Sequence, residues 1–244
     1  MGEVIAVVSG KGGTGKTSVC AGLATALAES GEAVLCIDCD IGLRNLDISL
    51  GLARMDALSF VDICRGEYTL EQAAVHPDYP KLRFLTAPMN CQPDSISSKA
   101  FAQLLRSARQ SYQYIFLDAP AGIDAGFRLA ARYADRILLV IGADPASVRD
   151  AARAGQLLEL MEKPDIRLIV NRINPKMVSA IKLTVDDVMD QAGLPLLGIV
   201  PEDPQVTLRA AMEKPLLKKN KKGAAAACRR IALRIMGVRV PVAL

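Results

Sequence analysis

Between Gly10 and Thr17 the chain reads GKGGTGKT, directly after the apolar run VIAVV (Val4 to Val8) and directly before a helical spacing. Glycines at 10, 12, 13 and 15 let successive backbone N–H groups converge, and a following helix adds the partial positive charge of its N-terminus. A nest of that kind holds phosphate oxygens. Lys16 is placed to reach the β- and γ-phosphates of a nucleoside triphosphate and the Thr17 hydroxyl to ligate Mg²⁺, while Thr14, Gly15 and Ser18 complete the wall. A Gly-rich turn with only a structural role would not require Lys16-Thr17. Two acidic strand ends extend the constellation. Asp118 closes YIFLDAPAG, an apolar strand ending in a carboxylate, the arrangement that holds Mg²⁺ through water. Asp38 and Asp40 close a second such strand in IDCDIG. Parallel strands deliver their C-terminal ends to one sheet edge, so Lys16, Asp38, Asp40 and Asp118 should cluster there. Asp38 then shares the metal with Thr17 and Asp118, and Asp40 positions the attacking water. For any one of these aspartates a turn or cap role is the competing reading.

The positioning elements follow from hydrophobic period. Apolar runs of strand length occur at Val4 to Val8, Ala33 to Asp38, Leu82 to Ala87, Tyr114 to Ala119, Arg136 to Gly142, Ile166 to Arg172 and Leu196 to Pro201. They are continuous rather than alternating, as strands covered on both faces are. Helical spacings lie between most of them. Cys20, Leu23, Ala24 and Leu27 share one face, with Gly31 where a C-terminal cap belongs. Val148, Ala151, Ala152, Gly155, Leu158 and Met161 mark another face. This alternation predicts an α/β fold, a mainly parallel twisted sheet of seven or eight strands with helices on both faces. One P-loop ATPase domain is expected over residues 1–237, followed by a short tail, 238–244.

Composition narrows the class. Of 244 residues 51% are hydrophobic and 4% aromatic, and Trp is absent, so the core is expected to be Val, Ile, Leu and Ala. A net charge of +4, from 30 basic and 26 acidic residues, is too small to argue for nucleic acid by itself. The longest apolar runs fall well short of the roughly 18 residues of a membrane span, and the N-terminus enters a strand without a secretory leader. A soluble, cytoplasmic protein is expected. Six cysteines, at 20, 36, 39, 64, 91 and 228, are scattered through apolar segments rather than spaced as a disulfide framework. Cys36 and Cys39 form a CxxC, but it ends a strand and has no second pair, so two half-buried thiols are expected. The lone histidine, His76, lies in HPDYP and reads as a loop residue without a metal partner.

The loop also carries a second lysine, Lys11, that a phosphate nest does not need. KGGTGKT resembles the deviant Walker A loop, KGGxGK[ST], of the ParA/MinD class of ATPases. That resemblance implies ATP/ADP and Mg²⁺ as ligands and slow ATP hydrolysis. It also makes Lys11 a cation that crosses a dimer interface to the partner's phosphates, where charge supplied in trans stabilises the reaction. DCDIGLRNLDISLGL (38–52), DAPAGID (118–124), SVRDAAR (147–153) and GIVPEDPQV (198–206) are similar to the MinD branch. The likeness spans Glu3 to about Gly237. It implies a homodimer with ATP that associates with anionic lipid at the cytoplasmic face of the inner membrane. A MinC-type division inhibitor and a MinE-type or polar-targeting activator are the implied partners. By position it sets Asn171 and the segment Pro201, Glu202 and Asp203 against adenine, Asn45 in a switch segment, and Arg149 and Asp150 on a partner-binding helix.

One departure is visible. The family usually ends in a basic amphipathic helix that enters lipid. Here Cys228, Ile231, Ala232, Ile235 and Met236 form an apolar stripe with Arg229, Arg230 and Arg234 elsewhere, which reads as a helix packed on the core rather than on a membrane. After Gly237 only VRVPVAL remains, so weak lipid binding is expected of this chain. Lys218 to Lys222 reads as a solvated basic loop. Rival readings are a DNA-partitioning ATPase, a nucleotide-gated adaptor with negligible turnover, and an iron–sulfur electron carrier. The last wants cysteines beside DAPAGID, and Cys91 alone cannot supply its usual pair.

Overall fold

Along β1 (Glu3–Val8) the side chains divide by parity. Val4, Ala6 and Val8 enter one apolar cluster, while Ile5 and Val7 enter a second on the opposite face. A strand with both faces covered needs no polar residue, hence the unbroken run. The computed structural model describes residues 1–41, 43–88, 97–174 and 184–243. Gly42 in the DCDIGLRN segment and Cys91 lie outside the described residues.

The other strands are β2 (Val34–Asp38), β3 (Ala74–His76), β4 (Tyr79–Leu85), β5 (Tyr114–Asp118), β6 (Arg136–Gly142), β7 (Ile166–Ile173) and β8 (Leu196–Pro201). They form an 8-stranded sheet in the order β3-β4-β2-β5-β1-β6-β7-β8, parallel throughout except for the β3/β4 pair. The helices are α1 (Lys16–Glu29), α2 (Leu46–Leu50), α3 (Phe60–Cys64), α4 (Ser98–Ser111), α5 (Ala125–Tyr133) and α6 (Pro145–Leu160). They continue as α7 (Val185–Ala192), α8 (Pro204–Ala211) and α9 (Gly223–Ile235). The expected α/β architecture holds, with two corrections. β3 had no strand signature, because a three-residue antiparallel edge strand is too short to show a period. β4 runs Tyr79–Leu85 rather than Leu82 to Ala87, its start pulled back by the hairpin with β3.

His76 therefore ends a strand instead of sitting in a loop. It is 1% exposed, with Nε2 2.8 Å from the Leu50 carbonyl and its ring edge-on to Tyr79 at 4.9 Å. Burial holds its imidazole below the ordinary range. Cys36 and Cys39 are fully buried rather than half-buried, each a free thiol.

α9 settles between the two readings of the basic terminal helix. Cys228, Ile231, Ala232 and Ile235 are buried against α1 and the sheet, so the stripe is core. Arg229 leaves that face to pair with Glu29, and Arg234 donates to the Leu197 carbonyl at 2.9 Å. The α1/α9 approach is close: a Cβ on Gly22 would stand 2.6 Å from the Cys228 sulfur. Glycine here is a packing requirement, not a hinge.

Candidate functional site

β1 delivers Ser9 to the C-terminal edge of the sheet, and the chain turns through Gly10–Gly15 into α1. Gly15 has φ 80°, a left-handed conformation that glycine alone adopts without penalty, and the Asn171 amide stands 2.4 Å from where its Cβ would be. Two flanking side chains hold the loop. Asn171 Nδ2 donates to the Thr14 carbonyl at 2.8 Å, and Arg172 Nη1 donates to the Gly13 carbonyl at 3.2 Å. Gly10 and Gly12 complete the nest with Gly13.

β2 and β5 are neighbours, and their register pairs Asp38 with Asp118. Lys16 Nζ lies 2.7 Å from Asp118 Oδ1 in a pair whose side chains are 7% and 1% exposed. The same amine lies 3.3 Å from the Thr17 hydroxyl. Burial raises the Asp118 carboxyl, while Lys16 and Thr17 pull it down. Its second oxygen, Oδ2, is buried without a hydrogen-bond partner among the described residues. A buried carboxylate oxygen left unmet beside a threonine hydroxyl is what a hydrated magnesium ion would satisfy, so Thr17 and Asp118 fit that ion.

Asp38 behaves differently from a simple ligand. Its Oδ1 accepts the Asp40 N–H at 2.9 Å and its Oδ2 accepts the Leu46 N–H at 3.2 Å, so the carboxylate pins the segment that carries Asp40. The cap role and the cluster role coexist, because Asp38 is fully buried beside Asp118. Burial first, then the Asp118 charge, pushes its carboxyl up to about 7. A raised folded-state value favours the neutral acid, so the stabilisation is present at low pH and is lost as pH rises through 7. The protein without nucleotide should therefore be about 2 kcal/mol less stable at pH 8 than at pH 5.5, and Asp38→Asn should flatten that difference. Urea unfolding at the two pH values checks it; an equal slope in both proteins assigns the dependence elsewhere.

Asp40 sits at the mouth, only half buried, with its carboxyl raised by burial and lowered by Lys16. Lys11 does not enter its own phosphate nest. Its amine lies 3.2 Å from Asp144 Oδ1, and the side chain is 36% exposed. Asp144 caps α6 through the Ser147 N–H at 2.9 Å, and these contacts hold its carboxyl down to about 2 against burial. Neither Asp144 nor Ser147 is apparent as a site residue from sequence. The available signal is Asp-Pro opening a helix after β6, the strand beside β1.

A cleft of about 750 Å³ opens on the other side of the loop, from Gly15 and Ser18 past Asn171 to Pro201 and Glu202. Val206, Leu216 and Cys228 are among its lining, an apolar surface of the kind on which a flat base packs. Asp203 lines it too, but its carboxylate is engaged: Oδ1 caps α8 at Gln205 and Oδ2 accepts the Ala224 N–H at the start of α9, both at 2.9 Å. Asp203 builds the wall rather than offering an acceptor. Asn45 stands at the N-terminus of α2, and Arg149 and Asp150 lie on α6, where the Asp150 backbone passes Gly10 too closely for a Cβ there.

Residues 5–216 match the family of CobQ/CobB/MinD/ParA nucleotide-binding domains. The chain is 38% identical to the septum site-determining protein MinD of Synechocystis over 244 residues, covering 99% of this chain and 92% of that protein. It belongs to the MinD family. MinD of Aquifex aeolicus, solved in a MinC:MinD cell division complex, matches with a TM-score of 0.92 at 36% identity over 99% of this chain and 98% of that one. MinD of Pyrococcus horikoshii, complexed with Mg-ADP, matches at 0.81 and 27% identity over 96% of each chain. Membership in the MinD family agrees with the glycine loop, the buried Lys16–Asp118 pair and the cleft brought together at one edge of the sheet.

Proposed function

We propose that this chain is an ATP-dependent dimerising switch ATPase that places the division site. In this reading the ATP-bound dimer sits at the cytoplasmic face of the inner membrane and recruits a MinC-type division inhibitor. Hydrolysis, slow until a MinE-type or equivalent activator engages, releases it. Family membership supports the cellular role, and the MinC bound to Aquifex MinD supports the class of partner.

One observation carries the switch: Lys11 is turned away from its own loop toward Asp144, and a third of it is exposed. The nest keeps Lys16 but is a cation short of what a triphosphate needs in the transition state. A partner's Lys11 supplies the missing charge, so occupancy and dimerisation become one event. Lys16 and the nest amides would hold phosphate, Thr17 and Asp118 would hold magnesium, whose charge would offset that of the phosphates, and Asp40 would orient the attacking water.

Light scattering with ADP and with a non-hydrolysable ATP analogue tests the reading. The parent should be a monomer with ADP and a dimer with the analogue and Mg²⁺. Lys11→Ala should still bind nucleotide but dimerise at least about tenfold more weakly, the loss of one charged hydrogen bond. A parent that stays monomeric when saturated with the analogue refutes the switch.

A further inference from the structure

Asn171 and Arg172 are consecutive residues of one strand, yet both donate to the same loop: Nδ2 to the Thr14 carbonyl at 2.8 Å and Nη1 to the Gly13 carbonyl at 3.2 Å. Regular strand geometry forbids this, since neighbouring side chains point to opposite faces. The chain departs from it at this point. Arg172 has φ 57°, a left-handed conformation that a side chain of its size rarely adopts, and the pairing of β7 with β8 shifts register between Val170 and Ile173. On the strand between β7 and β1, the residue in register with Asn171 is Gly142, which has no side chain to stand in the way.

We infer that Asn171 and Arg172 form a positioning pair that sets the two central peptides of the phosphate nest. The inference rests on the reading of this loop as a nucleotide site. In a trans peptide the C=O and N–H point in opposite directions. Holding the Gly13 carbonyl outward therefore turns the Thr14 N–H inward, and holding the Thr14 carbonyl outward does the same for Gly15. The loop's own sequence cannot enforce this, because Gly13 and Gly15 leave its peptides free to rotate. The two donors from β7 remove that freedom before phosphate arrives, as a preorganised anion site requires. Backbone strain at Arg172 is the structural cost, and its location beside the site rather than elsewhere on the strand fits that use. Asn171 also lines the base cleft, so the pair ties base occupancy to the shape of the nest.

The test separates grip on phosphate from contact with the base. Mg²⁺ with ADP, with GDP and with inorganic pyrophosphate are titrated by calorimetry against the parent, Arg172→Gly, Asn171→Ala and the double variant. Glycine relieves the left-handed strain, so Arg172→Gly should unfold no more than about 2 °C below the parent. It should nevertheless bind ADP and pyrophosphate each about three- to tenfold more weakly, with the ADP-to-GDP ratio unchanged. Asn171→Ala should also weaken pyrophosphate, and the double variant should lose less than the product of the singles, because both act on one loop. Parent-like pyrophosphate affinity in Arg172→Gly overturns the inference, as does a loss confined to ADP, which would make the pair a base contact. A parent that binds neither ADP nor pyrophosphate refutes the nucleotide-site reading itself, a different failure.

Discussion

Lys16→Ala is expected to weaken Mg-nucleotide binding by at least about 100-fold and to destabilise the protein without nucleotide in a pH-dependent way. The first effect follows from the proposed role of Lys16 as the cation that holds the β- and γ-phosphates. The second follows from the buried pair, in which Lys16 Nζ lies 2.7 Å from Asp118 Oδ1 and neither side chain is appreciably exposed. Removing one partner of a buried ion pair costs about 3–5 kcal/mol when the other must stay charged. Asp118 has an escape, because it can take a proton. Burial already raises its carboxyl, and in the variant the lowering by Lys16 is gone. A folded-state value lying further above the unfolded one means that stability is retained at low pH and lost as pH rises through it. The deficit should thus be smaller at pH 5 than at pH 8. Urea unfolding of parent and variant at both pH values reads it directly. Equal stability at pH 8 would show that the pair contributes nothing to the fold.

The chemistry was more legible in the sequence than the geometry that supports it. GKGGTGKT raises the expectation of a phosphate ligand through Lys16, Thr17 and the glycines, an apolar strand closing on Asp118 raises that of a metal beside it, and the structure brings Lys16, Thr17 and Asp118 together. The sequence pattern marks both ends of β6 and β8, because strands buried on both faces are uninterrupted apolar runs. Ala74–His76 was not, since a three-residue edge strand packed through a buried histidine looks like any polar loop. Asp38 shows a different limit. A strand-end carboxylate has the same signature whether it holds a metal or caps backbone N–H groups, and here it does the second beside a site that invites the first. Arg172 was beyond reach for a sharper reason: strand periodicity turns it away from Asn171's face, and only an unusual backbone angle brings it back. Lys11 and Asp144 meet across 133 positions of sequence, a pairing that the strand order creates and no local pattern announces.

Asp40→Ala should leave nucleotide affinity and the ATP-dependent dimer near parent values while lowering phosphate release at least about 100-fold, the usual scale of a positioned base or water-orienting group. The reasoning is geometric. Asp40's backbone is pinned at its N–H by Asp38, and its carbonyl accepts from Leu43 at 3.3 Å and Arg44 at 3.4 Å. The side chain therefore stands on a braced turn at the mouth of the site, close enough to Lys16 and Asp118 for both charges to act on it. Asp40→Asn divides the possible roles. An amide oxygen still accepts a hydrogen bond and can orient water, but it cannot take a proton near neutral pH. Turnover recovered by Asn and not by Ala makes orientation the contribution; turnover lost equally in both makes it proton transfer. Parent-like turnover in Asp40→Ala removes the residue from the mechanism altogether, and Asp38, whose carboxylate braces the same turn, becomes the next candidate to hold the water. In that case Asp38→Asn, which should otherwise change only the pH dependence of stability and the set of the turn, would abolish hydrolysis instead.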